Sequence, residues 1–148
     1  MKKVICGFPG VGKSTVFENR EQYTINILDS DSSTFDKALF PANYIAHIKE
    51  QIEGDNVILC SSHDTVRNAL VAENIPFHLV FPAITLKMEY LDRYVQRGSP
   101  KAFVDMMYNK WNEFIEGCIA QTGCTKTILR AGQFMNDVPE LIQLRRGA

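Results

Sequence analysis

Short apolar runs alternate along the chain with stretches in which apolar residues recur every three or four positions, and this alternation outlines the elements. Lys2-Lys3-Val4-Ile5-Cys6 reads as a strand and Ser14-Thr15-Val16-Phe17-Glu18 as a helix. Tyr23-Thr24-Ile25-Asn26-Ile27-Leu28 is rich in β-formers and runs into Asp29-Ser30-Asp31-Ser32-Ser33, the polar cluster expected where a strand's carboxyl end opens into a loop. Over 43–53, Ile45, Ile48 and Ile52 share one helical face, and Gly54-Asp55 supplies a stop. Asn56-Val57-Ile58-Leu59-Cys60 is continuously apolar, as a strand buried on both faces of a parallel sheet should be. Ser61-Ser62-His63-Asp64 then offers caps for a helix with Val66, Ala69, Leu70 and Glu73 on one side, which Asn74 and Pro76 end. Phe77-His78-Leu79-Val80-Phe81 is a fourth strand.

From 83 to 97, Ile84, Met88, Leu91 and Val95 form an apolar stripe, and at about 100° per residue Arg93 and Arg97 project from the opposite face. Gly98-Ser99-Pro100 breaks that helix. A second amphipathic helix carries Phe103, Met107, Trp111, Phe114 and Cys118 and ends near Gly123. Lys126-Thr127-Ile128-Leu129 is the last strand, and Pro139 can open a short C-terminal helix. Five strands separated by helices predict one α/β three-layer domain over 1–148 with a five-stranded, mostly parallel sheet. Ligands bind such sheets beyond the strands' carboxyl ends, so functional residues are sought just after each strand.

Composition narrows the field without redirecting it. A chain of 148 residues suits one domain, and 45% hydrophobic and 22% charged content with a net charge of −1 shows no global commitment to nucleic acid or membrane. Nucleic acid as a partner stays possible through a local patch but is not favoured. The four cysteines include no C-x-x-C pair and the three histidines no metal-ligand spacing, so no structural zinc site is expected; Cys6 and Cys60 read as small buried residues in a reducing, cytoplasmic setting. The apolar start is broken at once by Gly7, Pro9 and Gly10, and no span approaches the roughly 20 apolar residues of a membrane helix.

The chemistry concentrates in Gly7-Phe8-Pro9-Gly10-Val11-Gly12-Lys13-Ser14-Thr15, which fits G-x-x-x-x-G-K-[ST] between a strand and a helix, the Walker A pattern. Its glycines let successive amides turn onto nucleotide phosphates, with the following helix start adding positive charge. Gly10, Val11, Gly12, Lys13, Ser14 and Thr15 are thus the expected ATP-binding residues, Lys13 reaching the β- and γ-phosphates and Ser14 holding Mg²⁺. Asp29, closing an apolar strand, is the first choice for the metal carboxylate, because the third strand ends in Cys60-Ser61 and supplies none. Asp31 could share the metal, orient an acceptor or act as a base. Arg67, at a helix start beside this edge, could grip an anionic acceptor through paired hydrogen bonds, or be a solvated helix charge. His63 could bond the acceptor or cap the helix. Arg93 and Arg97, beside the Gly-Ser-Pro break, suit a mobile lid over 83–101 that closes on phosphates. Phe35, Phe40 and Tyr44 are candidates for contact with an acceptor ring, and the backbone of 130–133 for contact with the nucleotide base.

With those residues placed, the chain resembles the small P-loop kinases, the nucleoside monophosphate kinase and shikimate kinase group, and looks especially like short phage-encoded nucleotide kinases. The resemblance rests on the 7–15 loop, on Asp29-Ser30-Asp31 after the second strand, and on the arginine-bearing segment with Arg93 and Arg97. It implies strand order 2-3-1-4-5, ATP and Mg²⁺ at Lys13 and Ser14, and Arg67 as the acceptor-binding arginine. The expected activity is ATP-dependent phosphoryl transfer to a nucleoside monophosphate or related nucleotide. A hydroxyl acceptor, such as a small metabolite or a hydroxymethylated base in DNA, and nucleotide binding without transfer are the alternatives. A GTPase-like switch fits poorly: no D-x-x-G occurs, and Asn109-Lys110-Trp111-Asn112 lacks the guanine-reading Asp and lies inside a helical stripe.

Overall fold

The structure, a computed structural model, describes residues 3–23, 25–30 and 35–138. The short C-terminal helix expected from Pro139 lies outside the described residues. Five strands, β1 (Val4–Gly7), β2 (Asn26–Asp29), β3 (Asn56–Ser61), β4 (His78–Pro82) and β5 (Thr125–Leu129), form one sheet in the order β2-β3-β1-β4-β5. Every neighbouring pair is parallel, so the sheet is wholly rather than mostly so. The apolar runs explain the inner positions: Val57, Ile58, Leu59 and Cys60 of β3 and Leu79, Val80 and Phe81 of β4 are buried on both faces.

Five helices connect the strands: α1 (Lys13–Glu18), α2 (Ala42–Ile52), α3 (Asp64–Ala72), α4 (Lys87–Gln96) and α5 (Lys101–Ala120). The β1-to-β2 crossover runs one way along the sheet and the later ones run the other way, so right-handed connections put α1 on one face and α2, α3 and α5 on the opposite one. Two helices stop on paired reverse bonds around a left-handed residue. After α3, Asn74 (φ 55) donates to Val71 and Ile75 to Leu70, with Leu70 and Ile75 both buried. After α4, Gly98 (φ 82) donates to Val95 and Ser99 to Tyr94. Lys3 reaches across to the carbonyls of Ile52 and Gly54 at 2.9 and 3.1 Å, satisfying the end of α2 with a cation where the helix dipole favours one.

Helix faces show where tertiary packing overrides the pattern. On α2 the buried residues are Tyr44, Ile45 and Ile48, with Ile52 only partly covered. On α5 Met107, Trp111, Ile115 and Cys118 are buried, while Phe103 and Phe114 pack at the margin. The 83–97 segment departs most. A 3-10 turn over Ile84–Leu86 precedes α4, and α4 buries Tyr90, Leu91 and Tyr94, whereas Met88 and Val95 of the expected stripe are 68% and 58% exposed. The tyrosines and the arginines share one face at i, i+3, i+4 and i+7, and that face packs inward on the β1–α1 loop.

Trp111 joins the two halves of this packing. Its indole N–H donates to Ile84 O at 2.8 Å, and its ring meets Phe8 edge-on at 5.5 Å and Tyr90 at 5.7 Å. Trp111→Phe, which keeps an aromatic ring but loses that buried hydrogen bond, is expected to cost about 1–2 kcal/mol. A lowered urea midpoint at unchanged m-value checks it; an unshifted midpoint removes the role given to the indole.

Candidate functional site

The loop between β1 and α1 is held from below and from one side. Phe8 N donates to Val80 O at 2.9 Å, Val11 N to Phe8 O at 3.2 Å, and Met135 N to Val11 O at 2.8 Å, so Phe8 and Val11 are pinned into the core. Gly12 stands at the start of α1 with φ 103, a left-handed conformation that L side chains resist. Gly7 is required by contact: a Cβ there would come within 2.9 Å of both Lys13 and Val11 side chains. Among the described residues, no hydrogen bond satisfies the amides of Gly10, Gly12, Lys13, Ser14 or Thr15.

Lys13 folds back over Gly7, its ammonium donating to Gly7 O at 2.6 Å. Burial pushes its pKa from 10.5 down to about 8; Asp29 and, more weakly, the thiols of Cys6 and Cys60 hold it up, and Arg97 presses it lower. Those influences place Asp29, at the exposed end of β2, and Arg97 of α4 within charge range of Lys13. Ser30, the next residue, is anchored on three sides. Its amide donates to Leu59 O at 2.9 Å, its carbonyl accepts from the Tyr44 hydroxyl at 2.6 Å, and its hydroxyl lies 3.1 Å from His47 Nε2. Asp29 is thereby fixed at the carboxyl edge by its neighbour.

The opposite wall is α4. Tyr94 donates its hydroxyl to Pro9 O at 2.8 Å, and the rings of Tyr94 and Tyr90 lie 3.0 and 3.1 Å from where a Gly10 Cβ would stand. In the segment expected to act as a lid over 83–101, α4 packs as a wall whose tyrosines fill the space beside the loop. Between wall and loop lies a cleft of about 630 Å³, lined by Pro9, Gly10, Gly12, the Lys13-Ser14-Thr15 run, Arg93, Gln96, Arg97, Phe103 and Phe134. Arg93 donates to Gly10 O, Gln133 O and Glu89. Arg97 is exposed, and among the described residues its side chain's one hydrogen bond runs from Nε to Ser99 Oγ at 2.9 Å.

Other expected residues fall elsewhere. Arg67 is 6% exposed and does not line the cleft: Nε donates to Ser62 O at 2.8 Å, and one terminal nitrogen to Gly117 O at 3.1 Å and Gln121 Oε1 at 2.7 Å. The residue expected as the acceptor clamp thus lies in the α3–α5 seam, its guanidinium drawn there by groups near the C-terminal end of α5. Tyr44 is core, packed edge-on against Phe35 at 5.0 Å and beside Phe40 at 5.7 Å, so these three rings stabilise one another. His63 holds the N-cap position of α3 without a side-chain bond to it. Asp31 lies outside the described residues. Cys6 and Cys60 are buried register partners, and the hydrogen bond from Cys60 together with burial raises the Cys6 thiol well above its ordinary range, which makes Cys6 an inert packing group.

Sequence reasoning missed Phe134 and Glu89. Phe134 sits against Gly12, 3.3 Å from its would-be Cβ, and Glu89 receives both Arg93 and the amide of Gly132. The 130–133 stretch was expected to matter through its backbone, and that backbone is engaged by α4.

Among known proteins, no family model matches the chain and no curated protein does. No helix of the described residues is long and apolar enough to cross a membrane.

The depressed Lys13 pKa is open to direct test. In lysine-labelled protein followed by NMR, one side-chain resonance should titrate near pH 8 and vanish in Lys13→Ala. Asp29→Asn, by removing the carboxylate that favours the charged amine, should move that midpoint lower. A midpoint at the ordinary lysine value, or no response to Asp29→Asn, contradicts the arrangement.

Proposed function

We propose that the protein is an ATP-dependent phosphotransferase of the P-loop kinase type. The observation that carries the reading is the cleft itself, where loop amides with no partner among the described residues meet Lys13 and Arg97 on one surface, with Asp29 in charge range. Amides and cations arranged this way suit a triphosphate, and transfer of its γ-phosphoryl group requires little more than positioning and positive charge. The bond from γ-phosphorus to its bridging oxygen breaks as the acceptor oxygen attacks, and ADP leaves.

The residues fit Mg²⁺ as a nucleotide-borne ion. No cluster of three or more His, Cys, Asp or Glu able to hold a metal occurs among the described residues, but Ser14 lines the cleft and Asp29 is exposed at the carboxyl end of β2. Two hard oxygen ligands are what Mg²⁺ asks of a protein when phosphates and waters complete its shell. Once bound there, the ion would neutralise charge on the phosphates. Lys13 orients the β- and γ-phosphates, the loop amides hold the chain of phosphates in line, and Arg97 faces charge that develops on the transferred group.

A nucleoside monophosphate is the acceptor suggested by resemblance, but its expected clamp, Arg67, is engaged with Ser62, Gly117 and Gln121. That observation favours the second reading, a hydroxyl acceptor, which needs a carboxylate more than an arginine fork.

A radiolabelled-ATP transfer screen over nucleoside monophosphates, small alcohols and hydroxymethylated DNA tests the proposal. Transfer to any of them should fall by roughly three orders of magnitude or more in Lys13→Ala, whose thermal melt should stay near that of the parent. Asp29→Asn should weaken Mg²⁺-dependent transfer far more than metal-free nucleotide binding. No transfer to any acceptor with ATP still bound would leave a nucleotide-binding protein, and undiminished transfer by Lys13→Ala would sink the proposal. On the hydroxyl reading, Arg67→Met should lower the melting temperature without a selective rise in acceptor KM; a selective rise restores Arg67 to the acceptor site.

A further inference from the structure

Arg93 and Arg97 stand one turn apart on the same face of α4 and both line the cleft, yet their surroundings differ. The Arg93 guanidinium is held on every side. One terminal nitrogen donates to Gly10 O at 2.8 Å, and the other to Gln133 O at 2.9 Å and to Glu89 Oε2 at 3.0 Å. Its flat faces are covered by two rings, Tyr90 at 4.2 Å and Phe134 at 3.9 Å from the ring centroids. Its side chain is only 13% exposed. Glu89, besides accepting from Arg93, receives the Gly132 amide at 3.1 Å, so the same ion pair grips the chain just after β5. Arg97 also lies over two rings, Tyr94 at 4.9 Å and Phe103 at 5.6 Å, but it is exposed and its terminal nitrogens have no hydrogen bond among the described residues.

We propose that Arg93 is a positioning residue, not a phosphate ligand: it joins Gly10 of the loop to the 130–134 segment and sets the shape of both, while Arg97 supplies the charge that meets phosphate. The inference rests on the phosphate-binding reading of the cleft for its second half only. To reach a phosphate, Arg93 must release two carbonyls and a carboxylate and slide from between two rings. Held where it is, it masks the negative end of the Gly10 carbonyl, a group that repels an anion arriving at the loop. It also ties Phe134, the aromatic wall beside Gly12, to the movement of the loop. A lysine cannot substitute, because a single ammonium does not span three acceptors in one plane.

Charge-conserving variants separate the two roles. With ADP as probe, Arg93→Lys should bind as weakly as Arg93→Met, each losing about tenfold or more, since the geometry rather than the charge is lost. Arg97→Lys should recover most of what Arg97→Met loses. The steep weakening of ADP binding with added salt should persist in Arg93→Met and flatten in Arg97→Met, because only a cation that meets the phosphates contributes to it. Recovery of affinity in Arg93→Lys, or a flattened salt dependence in Arg93→Met, overturns the assignment.

A second measurement needs no nucleotide. In Arg93→Lys, exchange of the hydrogen-bonded amides in the two segments joined through this side chain, Val11 in the loop segment and 132–135 in the other, should rise together by roughly tenfold. Unchanged exchange in either segment overturns the proposal even if the unmodified protein proves not to bind ADP, an outcome that would instead defeat the phosphate reading. If the Arg93 variants do not fold, Glu89→Gln keeps the arginine's charge and removes its carboxylate partner. The same paired rise in exchange supports the strut, and exchange equal to the parent's refutes it.

Discussion

The position of β1 constrains everything else. It is the middle strand, paired on one side with β3 and on the other with β4, so its carboxyl end emerges at the centre of the sheet edge. The crossover that leaves β1 runs toward β2, the one from β3 to β4 passes it in the opposite direction, and a crevice opens where the connections part. Whatever follows Gly7 must fit there. The loop's own hydrogen bonds are few, and it is held instead by Phe8 on Val80, by Val11 under Met135, and by tyrosines of α4. The cleft is a consequence of strand order before it is a consequence of any single residue.

That central position also sets the electrostatics. Lys13 lies over the end of a buried strand, where water is scarce, and its charge is disfavoured until a partner arrives. Asp29 comes from two strands away, and only because β2 pairs in register with β3, which pairs in register with β1. A slip of one residue would swing Asp29 to the other face. The bonds from Tyr44 and His47 to Ser30 hold the chain against that slip.

What could be read from the chain alone follows from the range of the forces involved. The strands were legible because runs such as Asn56–Ser61 satisfy a local rule, continuous apolarity, that a parallel sheet enforces. The 7–15 loop was legible because its backbone demands glycine at particular places, Gly7 and Gly12 among them. The face of α4 was not, because the stripe rule assumes a helix packing on a sheet, and α4 packs on a loop through Tyr90 and Tyr94. The seat of Arg67 was not legible for a related reason: two of its partners are 50 and 54 residues away, at the C-terminal end of α5. Arg93 makes its bond to the loop across 83 residues. Polar side chains find partners by geometry, and nothing in their neighbours' identity announces where those partners will be.

The four cysteines acquire a practical meaning from this arrangement. Cys6, Cys60 and Cys118 are buried, and only Cys124 reaches solvent in part, immediately before β5. Since all strands run the same way, the start of β5 lies at the sheet's opposite edge from the loop that follows β1. Burial raises the Cys124 thiol above its ordinary range, so alkylation there is slow at neutral pH and quickens under mildly basic conditions. The chain thus carries a native attachment point for a fluorophore or spin probe, remote from the cleft, that leaves the β1–α1 loop and both arginines untouched.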